Sequence, residues 1–373
     1  MIPDYKKNNL VNLVNSIISG FGGKTSHPHF KYLAKEIKQS TNVILLVIDG
    51  MGSDVIEKIG KTNFFLRNKV QNLTSVYPPT TTAAITTIFT GLSPKEHGLL
   101  AWTMYFKEVD EDVMILPYKT TEGKTPRKKI LPKMISIFNK IKAEKHIIMP
   151  QKMLQSPYNH SFIKSAQQWK YRNFNGMLTK IKDAIKSSSK KKYVYAYWPK
   201  YDLTCHQFGK ESKDAKEHLK KLNLALEKFV KKIRGTNTLL LITADHGFIT
   251  SGKKRTVELS QHATIRECLS RPVTGEPRSA FCYVYPEKRQ LFEKYVKHKL
   301  SKYCQLYKSK DLVKKGFFGE GKAHPHLLDR LGDYVLITKE NYIFTDTMKH
   351  FFKGHHAGLS KEEMTIPLIK VKL

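Results

Sequence analysis

Three continuous runs of apolar and aromatic residues mark the chain and predict buried β-strands. They cover residues 43–48, 193–198 and 238–243. A strand that is apolar at every position is typical of a parallel sheet covered by helices on both faces, because a half-exposed strand would alternate apolar and polar residues. The three runs therefore predict the centre of a mainly parallel sheet.

Helical periodicity separates these runs. Residues 213–233 place leucines and other apolar residues on one helical face, with lysines and glutamates opposite. Residues 8–20 show a shorter amphipathic pattern that stops in a Gly-rich stretch, as helices often do. Residues 82–90 predict a short helix directly after a cluster of threonines. The alternation of helices with buried strands predicts the α/β class, with helices on both faces of the sheet.

The pattern changes after residue 250. Residues 251–345 contain several Gly and Pro turns and lack the long apolar runs of the preceding part. We interpret residues 251–345 as a smaller inserted cap. Residues 1–250 and 346–373 would then form the catalytic α/β core.

Acidic residues stand where the apolar runs end. Asp49 follows the first run directly, Asp202 comes shortly after the second, and Asp245 comes shortly after the third. In open parallel sheets, ligands bind beyond the carboxyl ends of the strands. The pattern predicts that these three carboxylates lie at one edge of the sheet.

Histidines accompany these acids. His206 lies four residues after Asp202, and one helical turn would place both side chains on the same face. His246 directly follows Asp245, and a His pair, His355-His356, lies in a Gly-rich stretch near the C-terminus. Taken singly, each is also explained as a capping acid or a packed histidine. Together, Asp, His and water suit Zn²⁺ or Mn²⁺ better than Mg²⁺ or Ca²⁺, so the set predicts a two-metal hydrolase.

A hydroxyl nucleophile would complete such a site. Thr80-Thr81-Thr82 precede the predicted helix of residues 82–90. A metal ion at a hydroxyl oxygen lowers its pKa, and the N-terminus of a helix favours an anion such as phosphate. Helix capping alone also explains this stretch. Cys205 is a second candidate nucleophile, although a residue that merely lies between ligands is the simpler interpretation.

Composition favours a folded intracellular chain. The sequence has 373 residues with 40% hydrophobic content, and it contains no apolar run near the ~20 residues that a membrane helix needs. Its beginning lacks the charged-then-apolar pattern of a signal peptide, so we expect a cytoplasmic protein with free thiols at its four cysteines.

The formal net charge of +33 has two explanations. A positive field attracts polyanions, so nucleic acid is one candidate partner. Lysines are spread over the whole chain, however, and they equally describe an ordinary solvated surface in a Lys-rich composition. Both explanations stay open.

Taken in order, these segments resemble the alkaline phosphatase superfamily, and in particular the type I phosphodiesterase and nucleotide pyrophosphatase branch. The resemblance spans nearly the whole chain. The matching segments are residues 47–52, 77–84, 90–98, 197–206, 243–247 and 354–360.

The resemblance implies an alkaline phosphatase-like fold and two divalent metal ions, usually Zn²⁺, with Mn²⁺ as the alternative. It implies that the first ion is held by Asp202, His206 and His356. The second would be held by Asp49, Asp245, His246 and the hydroxyl oxygen of Thr81. His356 is preferred over His355 because it directly precedes a small residue and a glycine, and Thr81 is preferred by its position after the prolines.

The implied reaction is hydrolysis of phosphodiester or pyrophosphate bonds in nucleotide-type substrates, through a covalent phosphothreonine at Thr81. Thr82, Trp102 and Tyr105 are candidate substrate contacts. This branch carries Asn three residues after the nucleophile, where this chain has Ala84. A phosphomonoesterase of the same fold therefore stays open, as does a non-catalytic polyanion-binding protein.

Overall fold

The structure is a computed structural model that describes residues 1–131, 133–345 and 352–373. Its strands are β1 (Asn42–Ile48), β2 (Lys69–Thr74), β3 (Thr103–Phe106), β4 (Glu111–Met114), β5 (Lys119–Thr120), β6 (Glu144–Pro150), β7 (Gln167–Tyr171), β8 (Lys192–Trp198), β9 (Thr238–Thr243), β10 (Ile249–Thr250), β11 (Thr256–Glu258), β12 (Thr274–Glu276), β13 (Ser279–Cys282), β14 (Cys304–Lys308), β15 (Tyr334–Thr338), β16 (Ile343–Thr345), β17 (Gly354–His355) and β18 (Thr365–Lys372).

The α-helices in the same part of the chain alternate with these strands. They are α1 (Leu10–Gly20), α2 (Lys31–Gln39), α3 (Ser53–Glu57), α4 (Phe64–Arg67), α5 (Thr81–Thr90), α6 (Pro94–His97), α7 (Ile137–Lys140), α8 (Gln151–Leu154), α9 (Pro157–Ile163), α10 (Phe174–Lys186), α11 (Lys200–Phe208), α12 (Lys213–Lys232), α13 (Ala263–Cys268), α14 (Arg289–Tyr295), α15 (Ser309–Lys314), α16 (Leu327–Leu331) and α17 (Lys361–Met364).

The central sheet has seven strands and is mainly parallel. Its strand order is β2-β18-β9-β1-β8-β6-β7. All neighbours from β9 to β7 pair in parallel, whereas β18 pairs antiparallel with both β9 and β2. The strands β1, β8 and β9 are buried at every residue, as their continuous apolar runs predicted. The predicted α/β class with a mainly parallel central sheet is confirmed.

The register of the three central strands aligns their carboxyl ends. Ile48 of β1 lies beside Trp198 of β8, and Val47 lies beside Thr243 of β9. The backbone N–H of Asp49 extends this ladder, donating to the carbonyl of Trp198 at 3.0 Å. Because the strands are parallel neighbours, the segments that follow them begin at one edge of the sheet.

The predicted helices form close to their expected bounds. Helix α12 begins after Ser212, whose hydroxyl accepts a hydrogen bond from the Ala215 N–H, and α1 begins after Asn9, whose side chain accepts one from the Val11 N–H. Such caps satisfy N–H groups that lack a partner within the helix. Helix α5 begins one residue earlier than expected, at Thr81.

A second seven-stranded sheet lies outside this core, in the order β14-β15-β13-β12-β3-β4-β5. Strands β12 to β15 come from residues 251–345, but β3 to β5 come from residues 103–120. The two parts of the chain join where Gly275 pairs with Thr103. Residues 251–345 therefore share a sheet with a segment that follows α5, and their assignment to an inserted cap stays a prediction.

A buried ion pair connects the second sheet to the C-terminal segment. Arg278, between β12 and β13, donates from Nε and Nη2 to the two carboxylate oxygens of Glu363 at 2.7 and 2.9 Å. Their side chains are 1% and 0% exposed. Glu363 also accepts the backbone N–H of Gly358 at 2.7 Å. This bidentate ion pair, together with the Gly358 hydrogen bond, fixes the loop that follows His356.

Two further features concern membrane-spanning helices and the reactivity of the cysteines. Within the described residues, no helix is both long and apolar enough to span a membrane. The four cysteines are free and buried. Burial raises the pKa of the Cys205 thiol, which disfavours the reactive thiolate.

We predict that Arg278→Met destabilises the protein by about 3–5 kcal/mol, because the Glu363 carboxylate would stay buried without its partner. The measurement is urea-induced unfolding followed by circular dichroism. Arg67→Met, which removes a half-exposed pair with Glu227, is the matched control and should change stability little. Equal effects of the two substitutions would contradict the prediction.

Candidate active site

Asp49, Asp245 and His246 form a buried group at the carboxyl edge of the central sheet. One oxygen or nitrogen atom from each side chain lies within 4.8 Å of the other two. Nε2 of His246 lies 3.4 Å from Oδ1 of Asp49 and 3.5 Å from Oδ2 of Asp245. The ends of β1 and β9 place these residues together.

Asp202, His206 and His356 form an adjoining group, again within 4.8 Å of one another. Helix α11 carries Asp202 and His206 one turn apart, and Oδ1 of Asp202 lies 3.5 Å from Nε2 of His206. The ring of His356 stacks on the ring of His246, with centroids 3.8 Å apart and planes at 19°. The two groups are therefore neighbours in one site.

Each aspartate presents one buried oxygen without a hydrogen-bond partner within the described residues. These oxygens are Oδ1 of Asp49, Oδ1 of Asp202 and Oδ2 of Asp245. The second oxygens of Asp49 and Asp245 are satisfied, by the hydroxyl of Tyr197 and by the backbone N–H groups of Gly50 and His246. An unpaired buried carboxylate oxygen costs free energy, and a bound cation would remove that cost.

The three histidines are oriented by backbone carbonyls. Nδ1 of His206 lies 2.9 Å from the Gly354 oxygen, Nδ1 of His246 lies 3.1 Å from the Gly247 oxygen, and Nδ1 of His356 lies 3.1 Å from the Pro79 oxygen. A carbonyl can only accept, so each Nδ1 carries the proton and each Nε2 offers its lone pair. This is the arrangement that metal-binding histidines adopt, and the residues therefore fit a divalent metal ion.

The electrostatics of the site also favour a cation. Burial raises the pKa of Asp49 well above its usual value, and the nearby carboxylates of Asp202 and Asp245 raise it further. Burial lowers the pKa of His356, and the neighbouring imidazoles of His246 and His206 add to this effect. Negative charge is thus unfavourable at the carboxylates until a positive charge lies among them.

Thr81 is the threonine that faces the site. It is the first residue of α5, and its Oγ1 lies 3.2 Å from Nε2 of His246. The Thr80 hydroxyl points elsewhere and donates to Oε1 of Glu276 at 2.6 Å. Thr82 is fully buried, and its hydroxyl has no hydrogen-bond partner within the described residues. The geometry therefore separates Thr81 from its two neighbours.

A two-stranded ladder and a contact from the second sheet position His356. Strand β17, which precedes His356, pairs antiparallel with β10, which follows His246. Ala357 has φ of 82°, a left-handed conformation that is unfavourable for a residue with a Cβ. The Ser279 hydroxyl donates to the Ala357 carbonyl at 2.6 Å. His355 turns away, with Nε2 2.8 Å from the Phe352 oxygen.

Two side chains at the site were not predicted from the sequence. Tyr197 donates to Asp49, and it is the next-to-last residue of an apolar strand whose tyrosines alternate. That alternation was a signal for a polar group at the strand end. Glu276 is 9% exposed, and burial raises its pKa to about 7. It lies in the inserted region, and nothing in its local sequence indicated the site.

The predicted substrate contacts differ in how accessible they are. Trp102 is 43% exposed, and its backbone N–H donates to Oε1 of Glu276 at 2.7 Å, close to the start of α5. Tyr105 has the Arg271 guanidinium 3.1 Å from its ring centroid and donates its hydroxyl to Asp110. One face of the Tyr105 ring is therefore covered by protein, which leaves Trp102 as the better candidate for stacking.

Known proteins share this arrangement of elements. A family model described as type I phosphodiesterase / nucleotide pyrophosphatase matches residues 43–359. The structure of murine ectonucleotide pyrophosphatase / phosphodiesterase 5, an inactive variant in complex with AMP, is similar with a TM-score of 0.69 and 17% identity over 88% of this chain and 87% of that chain. The structure of the human protein has a TM-score of 0.68 and 16% identity over 88% of this chain and 87% of that chain.

A bacterial enzyme is also similar in structure. Phosphonoacetate hydrolase from Sinorhizobium meliloti 1021, in complex with phosphonoformate, has a TM-score of 0.63 and 14% identity over 89% of this chain and 90% of that chain. At identities this low, the structural similarities establish the fold. No curated protein matches the chain by sequence.

We predict that Asp49→Asn raises the melting temperature of the metal-free protein, because burial and two neighbouring carboxylates disfavour a negative charge at this position. The substitution removes one of three carboxylates that repel each other in a buried site, and the amide oxygen can still accept from Tyr197. Thermal unfolding in excess EDTA at neutral pH measures the effect. Asp214→Asn, at an exposed position, is the control. A lower melting temperature for Asp49→Asn than for the wild type would contradict the prediction.

Proposed function

Because the chain belongs to the type I phosphodiesterase / nucleotide pyrophosphatase family, we propose that it hydrolyses phosphodiester or pyrophosphate bonds of nucleotide-type substrates through a covalent intermediate on Thr81. One observation carries this proposal. The hydroxyl of Thr81 lies beside His246, in a site built from two groups of three Asp and His residues. Three buried carboxylate oxygens of this site have no hydrogen-bond partner within the described residues. A hydrolase of anionic esters needs such a nucleophile within a cation-binding site.

The proposed cofactors are two divalent metal ions, Zn²⁺ with Mn²⁺ as the alternative. Asp202, His206 and His356 would hold one ion, and Asp49, Asp245, His246 and the Thr81 hydroxyl oxygen would hold the other. When bound, such ions lower the pKa of a hydroxyl and stabilise negative charge on phosphoryl oxygens. The mixed carboxylate and imidazole ligands favour Zn²⁺ or Mn²⁺ over Mg²⁺.

Thr81 performs the first step of the proposed reaction. Its Oγ1 attacks phosphorus, a bond forms between them, and the bond to the leaving oxygen breaks. The proton of the hydroxyl ends on the leaving group. In the second step, the oxygen of a water molecule attacks the phosphorus of this threonine ester and the bond between phosphorus and Oγ1 breaks. One proton of the water restores the Thr81 hydroxyl, and the phosphomonoester that keeps the remaining substrate group is released.

The start of α5 assists this chemistry. Thr81 is its first residue, so the first-turn N–H groups and the positive end of the helix dipole lie beside the reacting phosphate. These groups are fixed before substrate binds and need no rearrangement as charge develops on the phosphoryl oxygens. Trp102 is proposed to stack on a nucleobase, because the residue is 43% exposed and its backbone N–H shares an acceptor on Glu276 with the Thr80 hydroxyl.

We predict that Thr81→Ala lowers the hydrolysis of bis-p-nitrophenyl phosphate by at least about 10³-fold, because it removes the nucleophile. Acid quenching of the wild type during turnover of bis-p-nitrophenyl phosphate should leave a p-nitrophenyl phosphoryl group esterified to Thr81, detectable by peptide mass spectrometry. Thr179→Ala, on the exposed side of α10, is the control and should retain activity.

The same assay separates the alternatives. A preference of orders of magnitude for p-nitrophenyl phosphate over the diester would identify a phosphomonoesterase. Binding of nucleic acid that falls steeply with salt and persists in Thr81→Ala, without any turnover, would identify a polyanion-binding protein. Full activity of Thr81→Ala would refute the proposed nucleophile.

We predict that the purified protein binds about two equivalents of Zn²⁺ and that His356→Ala binds about one less. His355→Ala is the matched control. The His355 ring is turned to the Phe352 carbonyl, so this substitution should leave the metal stoichiometry unchanged. Elemental analysis after dialysis gives the stoichiometry, and the Zn²⁺-induced rise in melting temperature gives a second measure. Equal metal contents in the two variants would contradict the assignment of His356.

A further inference from the structure

The start of α5 lacks the cap that its sequence would allow. Thr80 occupies the N-cap position with an extended backbone, φ −141° and ψ 150°, yet its side chain accepts no hydrogen bond from the helix. A threonine at this position commonly accepts a hydrogen bond from the second or third N–H group of its helix. Here the Thr80 hydroxyl donates instead to Oε1 of Glu276 at 2.6 Å.

Glu276 holds this alternative arrangement in place. The same Oε1 atom accepts the backbone N–H of Trp102 at 2.7 Å, so one oxygen joins the start of α5 to the segment that leads into β3. Glu276 is the last residue of β12, 9% exposed, and no ion pair to it is found within the described residues. A buried carboxyl group without a cation is costly, and two short hydrogen bonds repay only part of that cost.

We propose that Glu276 is a positioning residue that keeps the Thr80 hydroxyl off the first turn of α5, so that the first-turn N–H groups stay available to substrate phosphate. The proposal rests on the proposed function of Thr81. Glu276 acts through Thr80 and Trp102 and does not itself touch the reacting atoms. The inserted region thereby contributes to phosphate binding although it supplies none of the proposed metal ligands.

Without Glu276, the Thr80 hydroxyl would compete with substrate phosphate for the N–H groups of α5. In Glu276→Ala the Thr80 hydroxyl loses its acceptor, and rotation about one side-chain bond lets it accept from the N–H groups of α5 as an ordinary cap. Phosphate must then displace this cap before it binds. A second substitution, Thr80→Val, keeps the shape of the side chain but removes the oxygen that competes.

The experiment measures the affinity of the metal-loaded protein for inorganic phosphate, both as an inhibition constant against bis-p-nitrophenyl phosphate and by titration calorimetry. We expect Glu276→Ala to bind phosphate about fivefold more weakly, the equivalent of one cap hydrogen bond. Glu276→Gln keeps an oxygen acceptor in place and should stay within about twofold of the wild type. The double variant Glu276→Ala with Thr80→Val should regain most of the lost affinity.

A merely structural role of Glu276 would not produce this recovery, because removal of a second contacting side chain would leave the damage in place and would not restore phosphate affinity. Melting temperatures show whether each variant is folded. If Glu276→Ala does not fold, the phosphate affinity of the single variant Thr80→Val tests the proposal. The proposal expects this variant to bind phosphate as well as the wild type, because the Thr80 hydroxyl does not contact the helix N–H groups. Glu340→Ala, at an exposed carboxylate of the inserted region, is the control.

The outcomes distinguish the two proposals. A wild type that neither hydrolyses the diester nor binds phosphate would refute the proposed function. A wild type that does both, with unchanged phosphate affinity in Glu276→Ala, would refute only the role of Glu276. Phosphate binding by the double variant that is no stronger than that of Glu276→Ala would also refute it, as would weaker binding by Thr80→Val alone.

Discussion

Three carboxylates that are brought together at one edge of the sheet cannot all keep their negative charge without a counter-charge. Asp49, Asp202 and Asp245 meet there because β1, β8 and β9 are parallel neighbours in a register that aligns their ends. Each retains a buried oxygen that has no hydrogen-bond partner among the residues that the structure describes. The fold therefore carries an electrostatic cost that its hydrophobic centre offsets and that bound cations would relieve.

The segments around this edge serve to hold ligand atoms at fixed positions. Backbone carbonyls orient the three histidines, and the β10–β17 pair brings His356 against His246. The Arg278–Glu363 pair and the Ser279 hydroxyl fix the loop after His356, which includes Ala357 in a left-handed conformation. Arg278 and Ser279 belong to the β12–β13 hairpin of the second sheet, so that sheet helps to build the site and is not only a cover over it.

Much of the central architecture was predictable from the chain. Continuous apolar runs are long enough and regular enough to indicate buried parallel strands, and α12 follows from helical spacing. The same reasoning placed Asp202 and His206 on one helical turn, where the structure has them. The composition of the second sheet was not predictable, because β3 to β5 join β12 across more than 150 residues of sequence, and local patterns do not encode such pairings.

The sequence by itself determined the kinds of residues at the site and their order. Acids at strand ends, histidines at helical spacing and a threonine before a helix are local features. They can be recognised from short stretches of the sequence. The resemblance to a known family already favoured Thr81 and His356. Only the tertiary structure shows that the Thr81 hydroxyl lies beside His246, that the His356 ring stacks on His246, and that Glu276 contacts Thr80. Side-chain direction depends on the elements that pack around it, and those elements come from distant parts of the chain.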